Sequence, residues 1–132
     1  MITYNDIPNK PTLSGGREPT DPEDTSNKEN VWRGMIELNE RYNTEQYHLI
    51  PIKILKAERQ LVAGDLDIYE VLVGESNHRC GSVNAKDLSK ENSSLKTDGE
   101  RFIYKITLWT KLTYEKQSKF EKIRSVSKEE HF

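Results

Sequence analysis

Gln60-Leu61-Val62-Ala63-Gly64 is a short uncharged run set between two strand-like segments. Ile50, Ile52, Ile54, Leu55 and Ala57 precede it, and Leu66-Asp67-Ile68-Tyr69-Glu70-Val71-Leu72-Val73-Gly74 follows it. β-Branched and apolar residues at this density favour the pleated, half-buried surface of a sheet, so the run reads as the tip of a hairpin. Tight turns normally carry Asn, Asp, Pro or Gly, whose backbones reach the angles a turn requires. This one has a single Gly and three aliphatic side chains, which gain little in water. Either it is the end of a strand tucked into the core, or it is a tip pushed into a partner. Composition leaves both open.

The segments around the hairpin have their own periods. Val31, Met35, Leu38 and Tyr42 recur at helical spacing, widened by Trp32 and Ile36, and predict one amphipathic helix near residues 27–43. Ser26 and Glu29 form an S-x-x-E capping box at its start, with Asp21, Glu23 and Asp24 supplying negative charge. Gly34 inside a helix costs about 1 kcal/mol relative to Ala, which suggests close approach to a neighbour. The first long strand is expected at 47–59, with an edge or bulge at Pro51, and the second at 65–74. Residues 75–99 are polar and read as a long loop. Phe102, Tyr104, Ile106 and Leu108 alternate with Ile103, Lys105 and Thr107, so 101–108 is a half-buried strand ending at Trp109. Leu112 and Tyr114 begin a further strand toward Phe120.

A helix followed by hairpin-linked strands predicts an α+β domain, an antiparallel sheet of four to five strands with one long helix covering one face. The expected division is an arm over residues 1–25, a folded domain over 26–124 and a charged, loose tail over 125–132. Pro8, Pro11, Pro19 and Pro22 with Gly15-Gly16 argue against regular structure in the arm.

With 132 residues, 33% of them hydrophobic and 32% charged, and a mean hydropathy of −0.86, the chain reads as one polar domain with a modest core. A net charge of −2 and a pI near 6.0 argue against nucleic acid as a partner, since phosphate binding needs a basic surface. No window is long and apolar enough for a membrane span. Met1-Ile2-Thr3-Tyr4-Asn5 does not read as the start of a signal peptide. Cys80 is the sole cysteine, which excludes an intrachain disulfide and fits a reducing compartment. The compartment stays open between a secreted chain with its leader removed and a cytoplasmic one. Asn92-Ser93-Ser94 is a glycosylation acceptor that matters only in the first case.

Signals for catalysis are weak. His78 and Cys80 are two residues apart in a polar segment, but nothing orients the imidazole or activates the thiol. His48 and His131 are scattered, and no spacing fits a metal site or a phosphate loop. No cofactor is expected. The C-terminal Lys and Arg residues alternate with polar ones and read as a solvated strand face. What stands out is the arm with its glycines, the tip at Leu61-Val62-Ala63, and Leu108-Trp109. In a meander, the two hairpin turns fall on one end of the sheet. An uncharged edge of this kind usually marks a binding site, and Trp is a common interface anchor.

These features, in this order, resemble the cystatin family of cysteine-protease inhibitors. Gln60-Leu61-Val62-Ala63-Gly64 fits the family's Q-x-V-x-G hairpin, and the likeness runs from about residue 13 to 120. The resemblance implies the cystatin fold and a reversible, competitive inhibitor of papain-like cysteine proteases, of the cathepsin L, B and S class. Three segments would enter the protease cleft as a wedge: Leu13-Ser14-Gly15-Gly16, Gln60–Gly64 and Leu108-Trp109. Val62 and Ala63 are then contact residues and not core. A charge at Val62 or a side chain at Gly64 should abolish binding and leave the fold intact. Leu13 is the expected anchor of the arm, with Gly15 or Gly16 as its pivot. A monomer is expected, able to swap domains by opening the first hairpin. The alternative is a non-inhibitory binding module on the same fold.

The chain departs from both branches of the family. Secreted members usually carry Pro-Trp in the second hairpin and four cysteines, where this chain has Leu108-Trp109 and Cys80 alone. Stefins lack the disulfides but usually lack the Trp as well, so the chain is intermediate between the two. Some secreted members also block legumain through an Asn in a Ser-Asn-Asp/Ser segment after the helix. Asn43-Thr44-Glu45 does not match it, so no legumain inhibition is expected.

Overall fold

The computed structural model describes residues 16–132. In chain order it contains β1 (Glu18–Pro19), α1 (Thr25–Arg41), β2 (Tyr47–Leu61), β3 (Gly64–Arg79), β4 (Arg101–Lys111) and β5 (Lys116–Val126). The strands form one antiparallel sheet in the order β1-β2-β3-β4-β5. This is the α+β arrangement expected from the order of periods, with one helix packed on a meander.

Period 3.6 and period 2 meet in the core. Val31, Met35 and Leu38 of α1 pack against Leu49, Ile54 and Ala57 of β2, Tyr69, Val71 and Val73 of β3, and Phe102, Tyr104 and Ile106 of β4. Gly34 faces this contact, where an added Cβ would lie 3.4 Å from Ile106 Cγ2, so the predicted close approach exists. β2 carries register shifts between Tyr47 and Leu49, Pro51 and Lys53, and Ile54 and Lys56. Pro51 sits at one of these irregularities, as a residue without an amide donor must. Bulges of this kind increase twist and bend a strand, which lets β2 follow the helix.

Three asparagines on the helix tie it to the sheet, two of them, Asn27 and Asn39, buried. The Asn39 side chain donates to Leu49 O and accepts from Leu49 N, both at 2.8 Å, and so grips β2 where its ladder is irregular. Tyr69 Oη donates to Asn27 Oδ1 at 2.8 Å and accepts from Asn30 Nδ2 at 3.2 Å.

Several boundaries differ from expectation. The cap of α1 is Asp24, not Ser26. The Asp24 carboxylate accepts from the Ser26 amide and hydroxyl, which holds its pKa below the ordinary value, and the helix begins two residues earlier. The arm expected to lack regular structure contributes β1, whose Glu18 and Pro19 pair with Arg59 and Glu58.

Much of 75–99 is not loop. β3 continues to Arg79, and a 3-10 turn follows at Ala85–Asp87. The remainder is tied back through Asn77 N to Ser94 O at 2.8 Å, Lys96 N to Glu75 O at 2.9 Å, and His48 Nε2 with Val83 O at 2.7 Å. Such bonds join residues far apart in sequence and leave no local pattern. β4 extends through Trp109 to Lys111, and β5 starts at Lys116 and ends at Val126, beyond both expected limits. Beyond β5, Glu130 pairs back with Arg124 of the strand, and Lys128 pairs with Asp98. The basic residues of β5 lie largely on an exposed edge, as expected.

Candidate functional site

The hairpin tips at one end of the sheet are adjacent because β3 and β4 pair in register, Gly64 with Lys111, Asp65 with Thr110 and Leu66 with Trp109. The first turn is tight, with Val62 N donating to Gly64 O at 3.0 Å. Ala63 has φ 48 and Gly64 φ 124, so both lie in the left-handed region, which costs Ala but not Gly. Continuing the β2–β3 and β3–β4 registers sets Ala63 level with Leu112. On the other flank Glu18 pairs with Arg59, so the same register carries Gly16 level with Leu61. The arm therefore approaches this edge. A Cβ on Gly16 would meet nothing within 4 Å. Leu13, Ser14 and Gly15 lie outside the described residues.

The expected contact residues divide by burial. Leu61 and Ala63 are exposed, while Gln60 is buried. Val62, expected as contact and not core, is only 5% exposed and forms a small cluster with Leu66, Ile68 and Trp109. Trp109 itself is 7% exposed. It sits inside β4 on the sheet face opposite the helix-facing Ile106 and Leu108, and not at a strand end. A charge at Val62 would thus be driven into an apolar cluster and damage the hairpin as well as any contact. The expectation at Gly64 is corrected likewise. A Cβ there would stand 2.2 Å from Thr110 O, so substitution disturbs the pairing of the two hairpins.

The second tip is Leu112-Thr113-Tyr114, which the strand-like alternation of Leu112 and Tyr114 concealed. Tyr114 N donates to Lys111 O at 2.9 Å, and Lys111 N to Glu115 O at 2.8 Å. Lys111 also pairs with Glu115 at 2.6 Å, which lowers the Glu115 pKa, and its ammonium lies 5.7 Å from the Trp109 ring centroid. Behind the first tip, Arg59 and Asp67 form an ion pair at 3.0 Å. These charges are paired and set back, which leaves apolar side chains foremost.

The cysteine site does not resemble an active centre. Cys80 Sγ lies 3.8 Å from His48 Nδ1, while His78 is engaged by Asn92 O at 2.8 Å. Burial pushes the Cys80 thiol up, the opposite of what a thiolate nucleophile needs. Among the described residues no His, Cys, Asp and Glu cluster could hold a metal ion, and no helix is long and apolar enough to cross a membrane.

No family model matches the chain. It is 44% identical over 102 residues to cystatin cpi-1 of Caenorhabditis elegans, covering 76% of this chain and 73% of that protein. The chain belongs to the cystatin family. This cystatin is also 40% identical over 81 residues to onchocystatin of Onchocerca volvulus, 61% of the chain, though that stretch is only 49% of onchocystatin. Its fold matches mialostatin, a gut cystatin of the hard tick Ixodes ricinus, with a TM-score of 0.69 at 17% identity, over 85% of this chain and all of that one. Cystatins as a family inhibit cysteine proteases, so the partner class is cysteine proteases and the chain is not an enzyme.

Proposed function

We propose that this cystatin is a reversible, tight-binding competitive inhibitor of papain-like proteases of the cathepsin L, B and S class, and that its tip-bearing edge enters the active-site cleft. The observation that carries this reading is the gathering of three segments at one end of the sheet, where register sets Gly16 level with Leu61 and, two residues farther out, Ala63 level with Leu112. Uncharged tips desolvate at little cost in an apolar-walled cleft. The wedge fills the cleft without offering a peptide bond in register with the nucleophile. The arm at Leu13-Ser14-Gly15-Gly16 supplies one contact, the Gln60–Gly64 hairpin the central one, and the hairpin carrying Leu108-Trp109 the third.

The inhibitor works as a monomer in this reading. Opening the strained turn at Ala63 would join β2 to β3 and give a swapped dimer without the central contact. Legumain is outside its range. The Asn43 amide is committed to Asn39 Oδ1 and Tyr47 O, at 3.0 and 2.9 Å, and is not presented to a partner.

Titrating active-site-counted papain with the chain tests the proposal. Nanomolar or tighter competitive inhibition is expected, weakened by deleting residues 1–16. No inhibition at micromolar concentration would favour a non-inhibitory binding module.

A further inference from the structure

Resting on the wedge reading, we propose that Leu112 and Tyr114 make the second hairpin's direct contact with the protease, and that Trp109 acts behind them as a positioning residue. The most exposed large apolar side chains among the described residues are Tyr114 at 86%, Leu112 at 76% and Leu61 at 60%, with the next at 46%. All three lie at the same edge. Register sets Leu112 beside Ala63 and carries Thr113 about one residue farther from the sheet, so this tip reaches the partner at least as early as the first.

The backbone of the tip adds a second observation. Lys111 O accepts from Tyr114 N, and Lys111 N donates to Glu115 O, so a turn is followed by one left-handed residue. That residue is Tyr114, with φ 65. Short hairpin loops normally place Gly or Asn at such a position, because a bulky side chain there is strained. Folding alone would favour Gly. The ring contributes no packing to offset the strain, since it points into solvent. A strained, exposed aromatic continuous with the proposed contact edge fits an interface anchor.

Trp109 has the converse properties. Its ring is buried with Val62, Leu66 and Ile68, which belong to the first hairpin and β3. Lys111 lies over that ring and also pairs with Glu115. Trp109 thus holds the bases of both tips in register, with little surface left to offer.

The test compares Tyr114→Gly and Leu112→Ser/Tyr114→Gly with the unmodified chain, using papain inhibition and urea unfolding. Expected is a tenfold or greater rise in Ki for Tyr114→Gly, mainly through faster dissociation, with an unchanged or raised urea midpoint. The double variant should weaken further. A Ki within twofold of the parent for both variants, while Ala63→Asp still loses inhibition, overturns the proposal and spares the wedge. Loss of inhibition together with a lowered midpoint would assign Tyr114 a structural role and also overturn it. If the unmodified chain does not inhibit papain, the wedge reading fails and this inference falls with it.

Discussion

Gly64 packs so closely on Thr110 that a Cβ built on it would stand 2.2 Å from the Thr110 carbonyl oxygen and 2.8 Å from Lys111 Cα. Its φ of 124 is also outside the range of ordinary L-residues. Gly64→Ala should therefore destabilise the domain by on the order of 2–4 kcal/mol, through strain and forced separation of β3 from β4. Urea denaturation measures this. A midpoint equal to the parent's would show that the hairpins separate freely.

Ala63 is the cleaner position for a charge. It is exposed, and Asp tolerates the left-handed region better than most residues. Ala63→Asp should keep the parent's circular dichroism and unfolding midpoint. Papain inhibition should weaken by about 100-fold, because the carboxylate must be desolvated in the cleft. Retained nanomolar inhibition would remove the first hairpin from the interface.

Asn39 grips Leu49 with both ends of its amide. Asn39→Leu, of similar size, leaves the Leu49 N–H and C=O without that partner and should cost about 2–4 kcal/mol. Hydrogen exchange at Leu49 should accelerate more than exchange in β4. Equal acceleration throughout would mean a global effect with no local tie.

Burial raises the pKa values of Tyr69 and Tyr104 above the ordinary phenol value. For a raised folded pKa, the stabilisation is fully present below the unfolded pKa, about 10. It is lost as pH climbs through the folded value. The urea midpoint should therefore be flat near neutrality and fall above pH about 10. Tyr69→Phe should lower the neutral midpoint, since Asn27 and Asn30 lose a partner, and should reduce the alkaline fall. An unchanged alkaline slope would place that titration elsewhere.

Cys80 has no part in the proposed edge, and burial raises its thiol pKa. Alkylation with iodoacetamide should be slow at neutral pH and faster in alkali, and the modified chain should inhibit papain as the parent does. A large loss of inhibition would place Cys80 in the function.

The residues by themselves determined a good deal. The 3.6-residue recurrence of Val31, Met35 and Leu38 specifies α1, because a helix face is written in local spacing. The alternation through Phe102, Tyr104 and Ile106 specifies β4 for the same reason. The uncharged pentapeptide at Gln60–Gly64, with its three aliphatic side chains, marked the central tip, since those residue types are poor for a turn in water.

Tertiary structure decided what each residue does there. Leu112 and Tyr114 continue the alternation of a strand, so nothing local announced that the chain turns between them. The turn's place depends on Lys111 and Glu115 meeting across the hairpin. Trp109 reads as an anchor by type, but its burial depends on Val62, Leu66 and Ile68 arriving from other strands. Ser26 and Asp24 are both good caps, and the carboxylate that reached the Ser26 amide took the role. Sequence spacing records which face of its own element a residue occupies. Cross-strand register and the neighbours it brings together are set only when the sheet closes on the helix.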